Sequence, residues 1–404
     1  MQKNIKIRLD SLDALRYIAA VLVLFSHLFE VFIVPKHGWG SFVGSAVSWV
    51  GIMAVLCFFY LSGYVIAFAT DYSIASKKYS FGNYCKKRFF RIYPVVWGML
   101  IYALIVIYIM KAFDLNGLTD RGLHLNGDVW SEPNFIGFKY LLYSIFLPPS
   151  GFYGGFFDLP LWTVSYEIAF YIIYGFIINL VLKYGIKKSV LIIVFILGAL
   201  FTWYCIFMQP DDVSFLNAIY LFSSNFPCWN FFGFLFVWLL GVGCFYFTKH
   251  LKNRVYLYIG IATILIINII LFLHYICDIP LVYNPYPGLI DDSCPSFSIF
   301  MTLAYSFPML LFVYWLQFIK LPKYLIFISV LGKKYSYTLY ASHFILLNFA
   351  FGVLSSYLNQ YNTLNFIILF MVLFVLANVI AFYLAKILEN RDLWIKLYDS
   401  FFEK

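Results

Sequence analysis

Apolar runs of about twenty residues recur along the whole chain, separated by shorter stretches where Lys, Arg, Asn, Gly and Pro collect. A helical run of that length crosses the ~30 Å hydrocarbon core of a bilayer. The pattern predicts ten spans, near 14–34, 49–70, 92–111, 162–182, 189–208, 231–248, 255–276, 298–319, 335–357 and 364–386. No internal repeat, low-complexity tract or heptad pattern interrupts them. The first apolar run, Tyr17 to Val34, is longer than a signal-peptide core and has no small-residue cleavage site close behind it. It therefore reads as a retained span. The expected fold class is all-α: a polytopic membrane protein with about ten transmembrane helices around a polar central cavity. Residues 1–404 form one membrane domain, with no soluble C-terminal domain expected.

Composition agrees. Of 404 residues, 63% are hydrophobic and 12% charged, with a mean hydropathy of +0.85, far from the roughly half apolar and quarter charged make-up of a soluble domain. The net charge of +9 would suit a nucleic-acid partner, but its placement argues for a membrane. Alternate connections hold 23 Lys and Arg residues on one side and 4 on the other, Arg16 aside. The positive-inside rule then puts both termini in the cytoplasm. Seven cysteines suggest no metal site; Cys277 and Cys294 share an outer loop and could bridge in an oxidising compartment. The longest outer connection, about 112–161, is rich in Gly, Pro and aromatics. Such a loop suits a sugar, and an interfacial aromatic belt would use the same residues.

Ionisable residues inside the spans carry the candidate chemistry, because burying them in lipid is expensive. Arg16 and His27 lie in the first span, 11 residues apart. That is about three turns, so both share one face ~16 Å apart. A shared polar cavity explains them better than a snorkelling Arg and a packed His do separately. Glu167, in LWTVSYEIAFY (161–171, with Trp162), sits about six residues into the fourth span. Counted from the span ends, His27 and Glu167 both lie ~10 Å below the outer surface, which makes them expected partners. A carboxylate on one ring nitrogen would leave the other as a base. KKRFFRIYP (86–94) places Arg88 and Arg91 on one helix face at a cationic cytoplasmic mouth, suited to bidentate phosphate binding. In FFYLSGYVIA (58–67), Ser62 and Gly63 suggest close helix packing. In LGKKYSYTLYASH (331–343), Tyr337, Tyr340 and His343 recur every three residues along one side. They either line the cavity from below or form a tyrosine belt with one packed histidine.

Taken in order, these segments resemble the acyltransferase-3 family of integral membrane O-acyltransferases. The resemblance rests on Arg16 and His27, the FF-x-LSG-aromatic segment at Phe58–Tyr64, R-x-x-R-I-x-P at Arg88–Pro94, LW-x-x-x-x-E-x-x-FY at Leu161–Tyr171, and Gly332 followed by SY-x-x-Y-x-x-H to His343. The gap from Gly332 to Ser336 is one residue longer than usual. Family resemblance implies transfer of an acyl group, usually acetyl, from cytoplasmic acyl-CoA to a hydroxyl of an extracytoplasmic glycan or glycolipid such as O-antigen or capsule. It implies a bacterial cytoplasmic membrane, acyl-CoA as co-substrate, no bound cofactor and no metal. Some members carry a further esterase-like domain; this chain stops at Lys404, so the membrane core or a separate partner is expected to complete the reaction. The expected mechanism docks CoA phosphates at Arg88 and Arg91, guides the arm past Arg16, and uses His27, held by Glu167, as general base. Ser62, Trp162, Tyr337 and His343 are expected to line the cavity. Alternatives are a covalent acyl intermediate on His27 or Ser62, N-acylation or succinylation of a surface polymer, and, in a different class, a flippase for lipid-linked sugars that consumes no acyl-CoA.

Overall fold

A computed structural model of the chain describes residues 2–33, 42–118, 123–125, 128–130, 136–149, 156–207, 231–250, 322–358 and 362–402. In chain order these form α1 (Gln2–Phe32), α2 (Phe42–Ala75), α3 (Phe81–Ala112), β1 (Leu123–Leu125), β2 (Asp128–Trp130), α4 (Phe138–Phe146), α5 (Leu161–Tyr184), α6 (Ile186–Phe207), α7 (Phe231–His250), α8 (Lys323–Leu354), α9 (Thr363–Leu388) and α10 (Arg391–Phe402). Eight of the ten expected spans correspond to α1, α2, α3, α5, α6, α7, α8 and α9. The spans near 255–276 and 298–319, with Cys277 and Cys294, lie outside the described residues. Seven described segments are long and apolar enough to cross a membrane, and Phe231–Tyr246 is apolar but shorter.

The helices run past the apolar windows, mostly at their basic ends. α3 begins at Phe81 rather than near 92, and α8 at Lys323 rather than near 335. Apolar residues mark where a helix meets lipid, whereas its end is set by capping. Ser80 caps α3 by accepting from Asn83 N at 3.2 Å, and Asn362 caps α9 by accepting from Asn365 N at 2.9 Å. The described fold is all-helical apart from one short hairpin. In the long connection between α3 and α5, β1 and β2 pair antiparallel, with Leu123 opposite Trp130. Polar and turn-forming residues between two short β-prone runs suffice for that hairpin.

The most extensive interfaces join α1 to α8 and α2 to α7. Both depend on a missing side chain. A Cβ on Gly332 would overlap Asp13 O of α1, and one on Gly63 would overlap Trp238 O of α7. Without them the backbones approach closely, which is how helices associate where lipid offers little hydrophobic drive. α10 lies across the basic end, where Lys86 of α3 donates to Asp399 at 2.7 Å and Tyr398 meets Phe90 edge to face.

One local feature decides the site's geometry. Phe156, Phe157, Asp158 and Leu159, just before α5, are all buried. Phe156 N donates to Ser144 Oγ of α4 at 2.7 Å, and Pro160 O accepts from Tyr340 OH of α8 at 3.2 Å. The chain thus dips into the bundle before α5 begins, so that α5 starts inside the protein rather than at its surface.

Candidate functional site

A cavity of about 530 Å³ opens at the basic end. Four cations line it, Arg16, Arg91, Lys333 and Arg391, and so do four carboxylates, Asp13, Glu167, Glu389 and Asp392. The mouth is therefore charge-balanced rather than purely cationic. The carboxylates are largely engaged. Arg16 donates to Asp13 Oδ1 at 2.9 Å. Glu389 Oε1 accepts from Thr338 N at 2.9 Å and Thr338 Oγ1 at 2.7 Å. Ser62 Oγ and Tyr171 OH both donate to Glu167 Oε1, and Trp238 Nε1 donates to Ser62 Oγ at 3.2 Å. The cations keep capacity in reserve. Arg16 Nη2 is buried without a partner among the described residues, and Lys333 is exposed at the rim. Cationic groups with unspent donors suit phosphate or carboxylate ligands.

On the far side of the cavity stands an aromatic layer. Phe58 lines the cavity and meets the Tyr340 ring at 5.0 Å between centroids. Tyr340 OH is also 2.7 Å from Thr163 Oγ1. One turn along α8, His343 lies 6.0 Å from Tyr340 and 5.3 Å from His27, ring to ring. His27 also meets Phe344 edge to face at 5.0 Å. His343 Nδ1 donates to Leu339 O at 3.1 Å, and its Nε2 is buried and unpaired among the described residues. A carbonyl can only accept, so Nδ1 carries the proton and the neutral ring keeps its lone pair on Nε2. His27 Nδ1 lies 2.8 Å from Glu30 Oε2.

The arrangement corrects several expectations. Glu167 takes its hydrogen bonds from Ser62 and Tyr171, and the carboxylate on His27 is Glu30. Counting residues from the span end put Glu167 level with His27; because α5 begins inside the bundle, Glu167 instead lies in the ionic cavity with Arg16. Arg88 and Arg91 do not share a ligand space. Arg91 lines the cavity, whereas Arg88 lines a different one, its guanidinium 5.4 Å from the Tyr84 ring and 5.9 Å from that of Tyr171. Three residues along a helix turn about 300°, so two groups on one broad face can still line different cavities. Ser62 and Tyr337 line the cavity. Trp162 does not. It is buried against Tyr166 and Phe234, since large apolar rings fill the helix interfaces first. His343 lies with His27 rather than along the cavity wall. The cavity lining, likewise, includes Arg16 and stops short of His27.

Sequence reasoning passed over Glu30, Glu389, Asp13 and Tyr171. Glu30 was within reach, since i and i+3 are helix neighbours and it follows His27 by that interval. Glu389 was not; it joins the cavity only because the end of α9 returns beside Thr338. Asp158 was also missed. Both its carboxyl oxygens are buried without a partner among the described residues, and burial pushes its pKa well above the ordinary carboxyl value.

Seven described helices long and apolar enough to cross a membrane, with an ionic cavity opening at their basic end, are those of a polytopic membrane protein. The chain belongs to the acyltransferase-3 family: the model of the acyltransferase domain, Acyl_transf_3, matches residues 9–386. Acyltransferase MdmB of Streptomyces mycarofaciens is 30% identical over 187 residues, covering 45% of this chain and 42% of that protein. The chain thus matches about two fifths of that relative's length. No solved structure matches.

Proposed function

We propose that the protein transfers an acyl group, acetyl by preference, from acyl-CoA entering at the basic end to a hydroxyl of a glycan or glycolipid at the other. The observation that carries this reading is the division of labour along α1. Arg16 faces an ionic cavity with unspent cationic donors, and His27, three turns on, meets Glu30 and His343. On the positive-inside rule the basic end is cytoplasmic, the side on which acyl-CoA is made. Arg16, Arg91 and Lys333 receive the CoA phosphates, and the acyl-pantetheine arm enters toward the Phe58–Tyr340 layer.

The chemistry then belongs to His27. Its Nδ1–H, held by Glu30, leaves the lone pair on Nε2. That nitrogen takes the proton of the acceptor hydroxyl as its oxygen attacks the thioester carbonyl. The C–S bond breaks, the new ester forms, and the imidazolium returns its proton to the departing thiolate. General-base catalysis of this kind is worth ~10²–10⁴-fold. A thioester is already activated, so the reaction requires no redox step. Glu167, held by Ser62 and Tyr171, balances the cavity's cations rather than orienting His27.

The test incubates purified protein with labelled acetyl-CoA and a mixture of surface glycans. Time-dependent label on glycan with release of free CoA is expected. A well-folded H27A protein with undiminished transfer would overturn the proposal, as would wild-type protein that exports lipid-linked sugar without consuming acyl-CoA. Mass spectrometry of surface glycans from cells with and without the protein identifies the acceptor.

A further inference from the structure

Arg88, set apart from the donor cavity, lies in a second pocket of about 230 Å³ between α3 and α5. Apart from Arg88 and the Cys85 thiol, the walls are rings and aliphatic groups: Tyr84, Phe89, Tyr93, Ile168 and Tyr171 among them. The pocket's three tyrosine hydroxyls are spent: Tyr84 OH on Tyr171 O at 3.0 Å, Tyr93 OH on Phe146 O at 3.1 Å, and Tyr171 OH on Glu167 Oε1. Among the described residues no carboxylate lines the pocket, and Arg88 Nε is buried with no hydrogen-bond partner. A guanidinium in so apolar a setting is costly unless an anion meets it.

The pocket's surroundings identify the anion. Its outer wall faces away from the bundle: Phe89 is 39% exposed and Ile172 54%. The surface continues along α3 through Trp97, Ile101 and Leu104, all exposed. Arg88 is seven residues from the start of α3, about 10 Å along the axis. α3 has 32 residues, about 48 Å, so some 18 Å of it exceeds the ~30 Å hydrocarbon core. Its basic end therefore reaches the headgroup region. A ligand fitting this place needs an anionic head at that depth and apolar chains running toward the bilayer centre.

We propose that this pocket is a headgroup site for an anionic phospholipid, its phosphate against Arg88 and its chains along the exposed α3–α5 surface. The soluble donor occupies the other cavity, which Arg91 lines. The two arginines of one motif thus serve two phosphates, one lipid and one soluble.

To test this, full-length protein is reconstituted into vesicles of equal phosphatidylglycerol and phosphatidylcholine and re-extracted in mild detergent. Native mass spectrometry then counts the retained phosphatidylglycerol. Wild type and R91Q should retain it, and R88Q should retain about tenfold less, the loss expected for one charge-assisted contact. I172W, which fills the groove from its exposed side and leaves Arg88 in place, should lose retention similarly. Undiminished retention in R88Q or I172W would overturn the proposal. So would displacement of the phosphatidylglycerol by millimolar inorganic phosphate or CoA, because the site would then serve a soluble anion. The assay reads lipid retention rather than acyl transfer, so its result stands independently of the reaction proposed above.

Discussion

The ionic cavity and the histidine layer are built from the same helices, α1 and α8, yet by opposite means. In the cavity every carboxylate has a cation or hydroxyl close by, and charges of both signs are interleaved. In the histidine layer two imidazoles lie tilted to each other beside Phe344 and Tyr340, with one carboxylate and, among the described residues, an unpaired ring nitrogen on His343. Many weakly held charges suit a large anionic ligand that must enter and leave. A few polar atoms in an apolar frame suit a proton transfer, because a low-dielectric setting strengthens each contact made there.

The sharpest way to break this comparison is to remove the proton acceptor. H27A should lower transfer by a hundredfold or more, with binding of acyl-CoA unchanged. E30Q should lower it by about tenfold and shift its pH profile, while E167Q should leave that profile unshifted; equal shifts in E30Q and E167Q would merge the two regions into one unit. Next in size, G332A presses a methyl onto Asp13 O and pushes α1 from α8, on which both regions depend. A destabilisation of about 1–3 kcal/mol is expected, read as a lower unfolding temperature in detergent. R91Q should raise KM for acyl-CoA by about tenfold with kcat little changed, since one charge-assisted contact is lost from binding. An equal fall in kcat would place Arg91 with the chemistry.

The smallest effect concerns Asp158. Burial raises its folded-state pKa, so the protonated form is the one that folds comfortably. Its contribution to stability is present below the ordinary value of 3.8 and is lost as pH rises from there through the raised folded value. D158N, neutral and of the same shape, should flatten that part of the stability–pH curve and gain on wild type as pH rises. An unchanged slope would mean that Asp158 is ionised in the folded protein.

Much of this molecule was legible in its residues. Spans showed as apolar runs, and Arg16 and His27 stood out because charge in lipid is costly. Ser62, Tyr337 and Arg91, singled out by type and spacing, all line the cavity. Failures came wherever depth was inferred by counting from a span end. Glu167 was matched to His27 by that count, and the buried turn at Phe156–Leu159 makes the count misleading. Helical spacing allows Arg88 and Arg91 to act together, but they line different cavities.

By itself, the sequence determined that the chain lives in a membrane, where most of its helices run, which end is basic and which buried ionisable groups need an explanation. These are local properties: hydropathy, charge and helical period act within one segment. Which carboxylate serves which imidazole, and which arginine faces which cavity, was decided only when α5 entered the bundle and left Arg88 and Arg91 lining different cavities. Hydrogen bonds and ion pairs act over a few ångströms, and residues a hundred positions apart come within that range only through packing.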